Sequence, residues 1–383
     1  MPLTAGSSVL DITPASPCHL GGYASRDHPH ENIHDPLSLR ALYVTNGTDE
    51  IVLVSADLLW FRKPLMNPVH DAISSELGIP NKHVMLCGTH THSAPITNGD
   101  NRNRQYLHFV TGQALAAVAI AKSRAQTVNI RSARGTSKIG INRREQIADG
   151  SVILGENPDG TIDREIVLTS LESDGKTVAE ICSFAAHGTV MGGDSYVVSG
   201  DWCGLAASTL EKQSDSAFLF MSGGSANINP RGRTRPSTFN VAISLAEEFV
   251  CDISDTRSSL SETATDDALG GAFRPIGLPR KLRDIEDGKG KIARTRIHGL
   301  RIGPLRILGF PGEVFSQTTM SVKKVFSPSL VAVNSYTTGG EAGYVPVKEA
   351  YDIGGYEVRV SPYSEEGEAV LRSEFIALAE SLR

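Results

Sequence analysis

Two histidines spaced two apart, His90 and His92, close the run Val84-Met85-Leu86-Cys87-Gly88-Thr89-His90-Thr91-His92. An apolar stretch with β character leads into them, and on an extended strand residues i and i+2 project to one face. Both imidazoles then point into one pocket at a strand end, where a metal could be held. Taken alone, the motif also fits a polar loop that carries two histidines by chance. His187 ends a second apolar run, Ile181-Cys182-Ser183-Phe184-Ala185-Ala186-His187, beside Gly188. Glu313 follows a third, Leu305-Arg306-Ile307-Leu308-Gly309-Phe310-Pro311-Gly312. Nitrogen and oxygen donors delivered singly by separate strand exits suit zinc.

The elements that must position these residues are legible in outline. Strand patterns cover residues 38–44, 51–59 and 84–88, with a helical pattern at 64–77 that ends at Gly78 and another at 104–124 rich in alanine. Short strands separated by Asn, Asp and Gly turns fill 128–171. Residues 236–254 and 364–382 read as helices, 258–267 as a surface loop, and the charged run 280–294 as a solvated helix or loop face. Alternation of strands and helices predicts an α/β chain (mixed α+β), with mixed β-sheets flanked by helices. No repeat or linker divides it, so residues 1–383 are expected to form one catalytic domain.

At 383 residues and 40% hydrophobic content the chain can bury a sizeable core. A net charge of −6 leaves no basic stripe for phosphates, so no nucleic acid is expected as a partner. The first residues lack a basic segment followed by an apolar core, and no run nears the roughly 20 apolar residues that cross a bilayer. No signal peptide and no stable membrane insertion are expected. Cys18, Cys87, Cys182, Cys203 and Cys251 form no Cys-x-x-Cys pair, which fits free thiols in a reducing, cytoplasmic setting. The expected partner is a small-molecule substrate, with a homo-oligomer left open.

In order, the motifs Gly88-Thr89-His90-Thr91-His92-Ser93-Ala94-Pro95, Ile141-Asn142-Arg143, Ala186-His187-Gly188-Thr189, Ser199-Gly200-Asp201, Asn227-Ile228-Asn229-Pro230, Phe310-Pro311-Gly312-Glu313, Gly343-Tyr344-Val345-Pro346 and Glu349-Ala350-Tyr351 resemble the neutral/alkaline ceramidase family, in its N-terminal catalytic domain. The resemblance implies one Zn2+ held by His90, His187, Glu313 and Tyr344. It implies His92 beside the metal as a proton shuttle or carbonyl contact, and Arg143 as the active-site arginine. Zinc with an open position activates water and polarises a carbonyl. A nearby free histidine moves protons near neutral pH, and an arginine steadies an oxyanion. From chemistry alone Tyr344 also fits a partly buried tyrosine with a bonded hydroxyl, and Arg143 or Arg144 an ordinary surface salt bridge.

Two departures shape the expected function. Where the family carries a serine nucleophile before proline, this chain has Asn229, and an amide is no nucleophile. Direct attack by metal-activated water is therefore expected, with Asn229 orienting substrate or binding the oxyanion. The resemblance covers only the family's catalytic part, so no counterpart of its further immunoglobulin-like domain is expected in residues 1–383. Together these predict a zinc-dependent hydrolase of an amide, ester or lactone in a small polar metabolite rather than ceramide. Ceramide hydrolysis and a catalytically inactive binding protein remain the alternatives. Ser225, in Gly223-Gly224-Ser225-Ala226-Asn227, lacks the second glycine of a nucleophile elbow. His298 keeps a barrel-amidohydrolase reading open, whereas Ser93-Ala94-Pro95 after His92 breaks the metallo-β-lactamase pattern. Gly21-Gly22-Tyr23 and residues 28–34 and 98–104 are candidates for the pocket rim.

Overall fold

The computed structural model describes residues 2–99, 101–262, 266–339 and 342–382. Strand Ser38–Thr45 illustrates how the core is built. Leu39, Ala41 and Tyr43 enter a cluster with Leu65, Val69, Val110 and Ala117, while Leu42 and Val44 pack with Ile181, Leu219 and Met221. Alternating side chains thus reach opposite faces of one sheet. That sheet is ordered Val84–Gly88, Glu50–Ala56, Ser38–Thr45, Thr4–Asp11, Gln126–Thr127. Its first pair is parallel and the others are antiparallel.

A second sheet, ordered Ala217–Ser222, Lys176–Phe184, Glu165–Ser173, Asn129–Thr136, Ser261–Glu262, stacks on its inner face. The outer face of this second sheet sets Cys182, Phe184 and Phe220 against Trp202 and Phe249 of helices Asp201–Ser214 and Phe239–Ser258. Helices Lys63–Leu77 and Arg104–Ser123 cover the first sheet, giving four layers, helix, sheet, sheet and helix. Each fully buried Leu or Phe in them contributes about 1.5–3 kcal/mol. A four-stranded sheet of Leu269–Pro279, Ile292–Ile302, Leu305–Gly309 and Leu330–Asn334 lends Leu300, Leu305 and Ile307 to the inter-sheet core. Helix Gly367–Ser381 packs on it through Leu371, Phe375 and Leu378. The mixed α+β expectation is borne out.

Boundaries differ where local chemistry competes. Helix Lys63–Leu77 has Pro64 as its second residue, where the missing N–H costs nothing in a first turn, and stops at Gly78 in the left-handed region at φ 72°. The strand expected over 51–59 ends at Ala56, because the carbonyls of Leu58 and Leu59 turn out of the sheet to accept from His90. The helix expected from 236 begins at Phe239: Ser237 is tied by its N–H and hydroxyl to Asp194. The charged run 280–294 divides into a short helix Leu282–Glu286 and the start of strand Ile292–Ile302. Of the loop expected at 258–267, Ser261–Glu262 pairs with Asn129–Thr136 and 263–265 lie outside the described residues. Among the described residues no helix is long and apolar enough to cross a membrane.

Candidate metal centre

His90, His187, Glu313 and Tyr336 each follow a strand exit by a few residues, after Gly88, Phe184, Gly309 and Asn334 respectively. The extended geometry expected for His90-Thr91-His92 is not what brings the two rings together. His90 adopts φ 67°, a left-handed conformation that costs an L-residue of this kind of order 1–3 kcal/mol and clusters at functional sites. The strand has ended at Gly88, and His92 Nε2 comes to 3.2 Å from His90 Nε2 through a turn rather than a pleat.

Hydrogen bonds to the backbone fix which nitrogen each ring presents. His90 Nδ1–H donates to the Leu59 carbonyl at 2.8 Å. His187 Nδ1–H donates to the carbonyls of Ser225 at 2.8 Å and Ile228 at 3.0 Å. A carbonyl only accepts, so the proton sits on Nδ1 and both Nε2 lone pairs face inward. Donor atoms of His90, His92 and His187 lie within 4.8 Å of one another. Burial, reinforced by neighbouring charge, holds all three rings well below the ordinary histidine pKa, so they are neutral and able to ligate. His92 differs: its buried Nδ1 has no partner, and the contact to His90 needs a proton that only His92 Nε2 can supply.

Glu313 and Tyr344 are register partners across the parallel pair Glu313–Val314 and Tyr344–Val345. Glu313 Oε2 lies 3.3 Å from His187 Nε2. Arg143 Nη2 donates to the Tyr344 hydroxyl at 3.1 Å and Nη1 to His187 Nε2 at 3.3 Å, while Nε is held by Glu357 at 2.7 Å. Arg144 shares that Glu357 carboxylate at 2.5 Å and is 7% exposed, so the surface salt bridge expected there is a buried pair. Burial and Glu313 push the Tyr344 phenol well above its ordinary value; a bound dication would have to pull it down. The donor set fits a divalent metal: inward lone pairs, a carboxylate beside them and backbone carbonyls behind two of the rings.

Asn229 lies in strand Ile228–Pro230 beside the carbonyl that orients His187, and its Oδ1 accepts from Thr189 Oγ1 at 3.3 Å. Ser225 is fully buried, and its hydroxyl meets Ser222 at 3.1 Å and Tyr336 at 3.0 Å, neither of them a base. The barrel-amidohydrolase reading falls, because His298 turns Nε2 to the Lys82 carbonyl at 2.9 Å and packs on Phe273. Of the rim candidates, Tyr23 lies edge-on to His92 with ring centroids 5.1 Å apart. A Cβ on Gly22 would come within 2.4 Å of that ring. His28 stacks on Tyr196 and His34 on Phe239 instead, and Asn103 ties down His19 and Ile96. Asp100 lies outside the described residues.

Tyr336 was missed from sequence, although it leaves a strand just as the ligand candidates do. Its hydroxyl stands 3.3 Å from Glu313 Oε2 and 3.4 Å from His187 Nε2. Asp201, quoted above only as part of a motif, accepts from the N–H groups of Val190 and Met191 and fixes the loop after His187. Its carboxyl is pushed up to about 6 by burial.

Comparison with known proteins gives the lineage. Over 265 residues the chain is 28% identical to neutral ceramidase B of Dictyostelium discoideum, covering 60% of this chain and 36% of that one. Over 294 residues it is 24% identical to neutral ceramidase 2 of Arabidopsis thaliana, covering 69% and 36%. The matches thus span about a third of those relatives. The fold superposes on a neutral ceramidase from Pseudomonas aeruginosa with a TM-score of 0.80, 18% identity and coverage of 100% of this chain and 75% of that one. A ceramidase complexed with C2 gives 0.79, 18%, 100% and 76%. The family model for the neutral/alkaline non-lysosomal ceramidase N-terminal region matches residues 3–257, two-thirds of the sequence, and the chain belongs to that family.

Proposed function

We propose that this chain is a zinc-dependent hydrolase that cleaves an amide bond. The observation that carries the reading is the pair of imidazoles, His90 and His187, whose Nδ1–H groups are engaged by backbone carbonyls and whose Nε2 atoms face one point. His90, His187 and Glu313 would hold the metal, with Tyr344 as fourth donor beside Glu313. When bound, zinc supplies Lewis-acid activation of water and of the scissile carbonyl.

The remaining steps belong to the chain's own side chains. His92 carries the proton: metal-binding histidines almost always donate their outer N–H to a partner, and His92 Nδ1 has none. With the His90 lone pair committed to a metal, the neutral His92 ring would carry its proton on Nδ1, take one from the attacking water at Nε2 and return it to the leaving amine. Arg143, steadied by Glu357, holds the Tyr344 hydroxyl and adds positive charge where negative charge develops on the carbonyl oxygen. Asn229, at the position where the family carries its serine, donates an N–H to the same oxygen. No acyl-enzyme forms there.

The five cysteines are unpaired and four are buried, as a reducing, cytoplasmic setting would leave them. The substrate in this reading is a small polar amide. Ceramide itself is the second reading, favoured by the names of the relatives. One panel separates them: ceramide, short acyl amides, esters and lactones, assayed with and without a chelator. Hydrolysis lost to chelation and restored by zinc supports the proposal, and the best substrate chooses between the two readings. Full metal content with no turnover of any member replaces both with a binding protein.

A further inference from the structure

The segment Arg231-Gly232-Arg233-Thr234-Arg235 follows directly from Asn229-Pro230 and carries three guanidinium groups. Two are engaged. Arg231 pairs with Glu248, and Arg235 Nη1 donates to the Thr234 carbonyl at 2.7 Å and Ser237 Oγ at 3.0 Å. Arg233 is not: its Nε is buried without a partner, and no carboxylate of the described residues lies within ion-pair distance of it.

Arg26 repeats the pattern on the other side of His92. It is 8% exposed, and its Nη atoms donate to the carbonyls of Gly21 at 2.7 Å, His92 at 2.6 Å and Gly192 at 3.0 Å. Its Nε too is buried without a partner. Carbonyls satisfy donors but do not cancel charge, so Arg26 is a buried cation with no carboxylate at ion-pair distance among the described residues. Arg26 lies against His92 through that carbonyl bond, and Arg233 stands within electrostatic reach of Tyr23, whose ring lies edge-on to His92. Arg143 does have a carboxylate, but Arg144 draws on the same one. Two guanidiniums near His92, those of Arg26 and Arg233, are thus left without a carboxylate at ion-pair distance among the described residues, while Glu357 and Glu313 are engaged with Arg143, Arg144 and His187.

We propose that the substrate supplies the missing partner: the chain hydrolyses an N-acyl amino acid, whose carboxylate is taken by Arg233. A guanidinium fork matches a carboxylate in two parallel bonds. Arg26, whose Nη1 donates two bonds and Nη2 one to backbone carbonyls, contributes field rather than contacts. In the reaction, water adds to the acyl carbon and the C–N bond breaks. The nitrogen leaves with a proton, and the products are a carboxylic acid and a free amino acid. The bond cleaved rests on the hydrolase reading above; the charge bound does not.

Calorimetric binding of N-benzoylglycine and of N-benzoylglycinamide, its uncharged counterpart, to the metal-loaded protein tests this. The acid should bind at least 10-fold more tightly than the amide, and Arg233→Gln should bring that ratio close to one. Arg233→Lys, which keeps charge without the fork, should give an intermediate ratio and guards against a variant that misfolds. Equal binding of acid and amide by the unaltered protein, no binding of either, or an unchanged ratio in Arg233→Gln overturns the proposal. So does inorganic phosphate bound more tightly than the acid and released by Arg233→Gln, which would reassign the site to phosphate. Discriminating binding with no hydrolysis would remove the hydrolase reading and leave the carboxylate site standing.

Discussion

His90 and Tyr336 lie face to face, ring centroids 3.5 Å apart and planes within 6°, and both residues hold the backbone in the left-handed region. Two strained residues from different sheets support each other, and the Tyr336 hydroxyl reaches on to Glu313, His187 and Ser225. The stack fixes the plane of the His90 ring, and the phenol stands within hydrogen-bond reach of Glu313 and His187.

Tyr336→Phe keeps the stack and removes the hydroxyl. Metal affinity should fall about 10-fold, the low end for a group that orders ligands. Competition against a coloured chelator reads this. Unchanged affinity would reduce Tyr336 to a packing residue.

His92→Ala should retain its metal and lose turnover by roughly 10²-fold or more, the usual scale for a general acid or base. Metal content and kcat measured on one preparation separate the two effects. If this variant loses metal while His90→Ala keeps it, the roles of the two histidines are reversed.

Asn229→Ala should lower kcat by on the order of 10²-fold as an oxyanion donor is lost, and Ser225→Ala should matter much less. Intact-mass spectrometry during turnover should find no acyl adduct. An acyl group trapped on Ser225 would restore a serine mechanism at a shifted position.

Stability of the metal-free protein should fall as pH drops below about 6.5, the ordinary histidine value. His90, His92 and His187 are held well below it by burial, as are His70 at about 4 and His298 at about 3. Above 6.5 neither state is protonated and these groups add no slope. Below it the unfolded chain gains protons that the folded chain refuses, about 1.4 kcal/mol per pH unit for each ring. Asp201 works in the opposite sense, since its folded carboxyl at about 6 keeps a proton that the unfolded one has lost, and Asp57 and Asp252, also raised by burial, act in the same direction; these three carboxyls are fewer than the five histidines. Urea midpoints at pH 7.5, 6.5 and 5.5 in the presence of chelator should decline, and a flat or rising series would contradict this.

Strand exits were legible because an apolar run that stops at a His or Glu is a local pattern, and so His90, His187 and Glu313 stood out. What brings them together was not. The left-handed turn at His90 depends on the carbonyls of Leu58 and Leu59, some thirty residues earlier. The Glu313–Tyr344 pairing depends on two short parallel segments too brief to carry periodicity. Arg143 was nominated by resemblance, whereas Glu357, which fixes it, lies in a five-residue helix with no motif of its own. The mixed α+β layering followed from alternation along strands such as Ser38–Thr45. The order of the strands did not, because pairings such as Lys176–Phe184 with Ala217–Ser222 are set by packing across the sheets.

Elemental analysis of the purified chain beside His90→Ala and His187→Ala tests the central claim most directly. The account predicts about one zinc per chain in the unaltered protein and near-complete loss in both variants. Full zinc occupancy in both variants would contradict it.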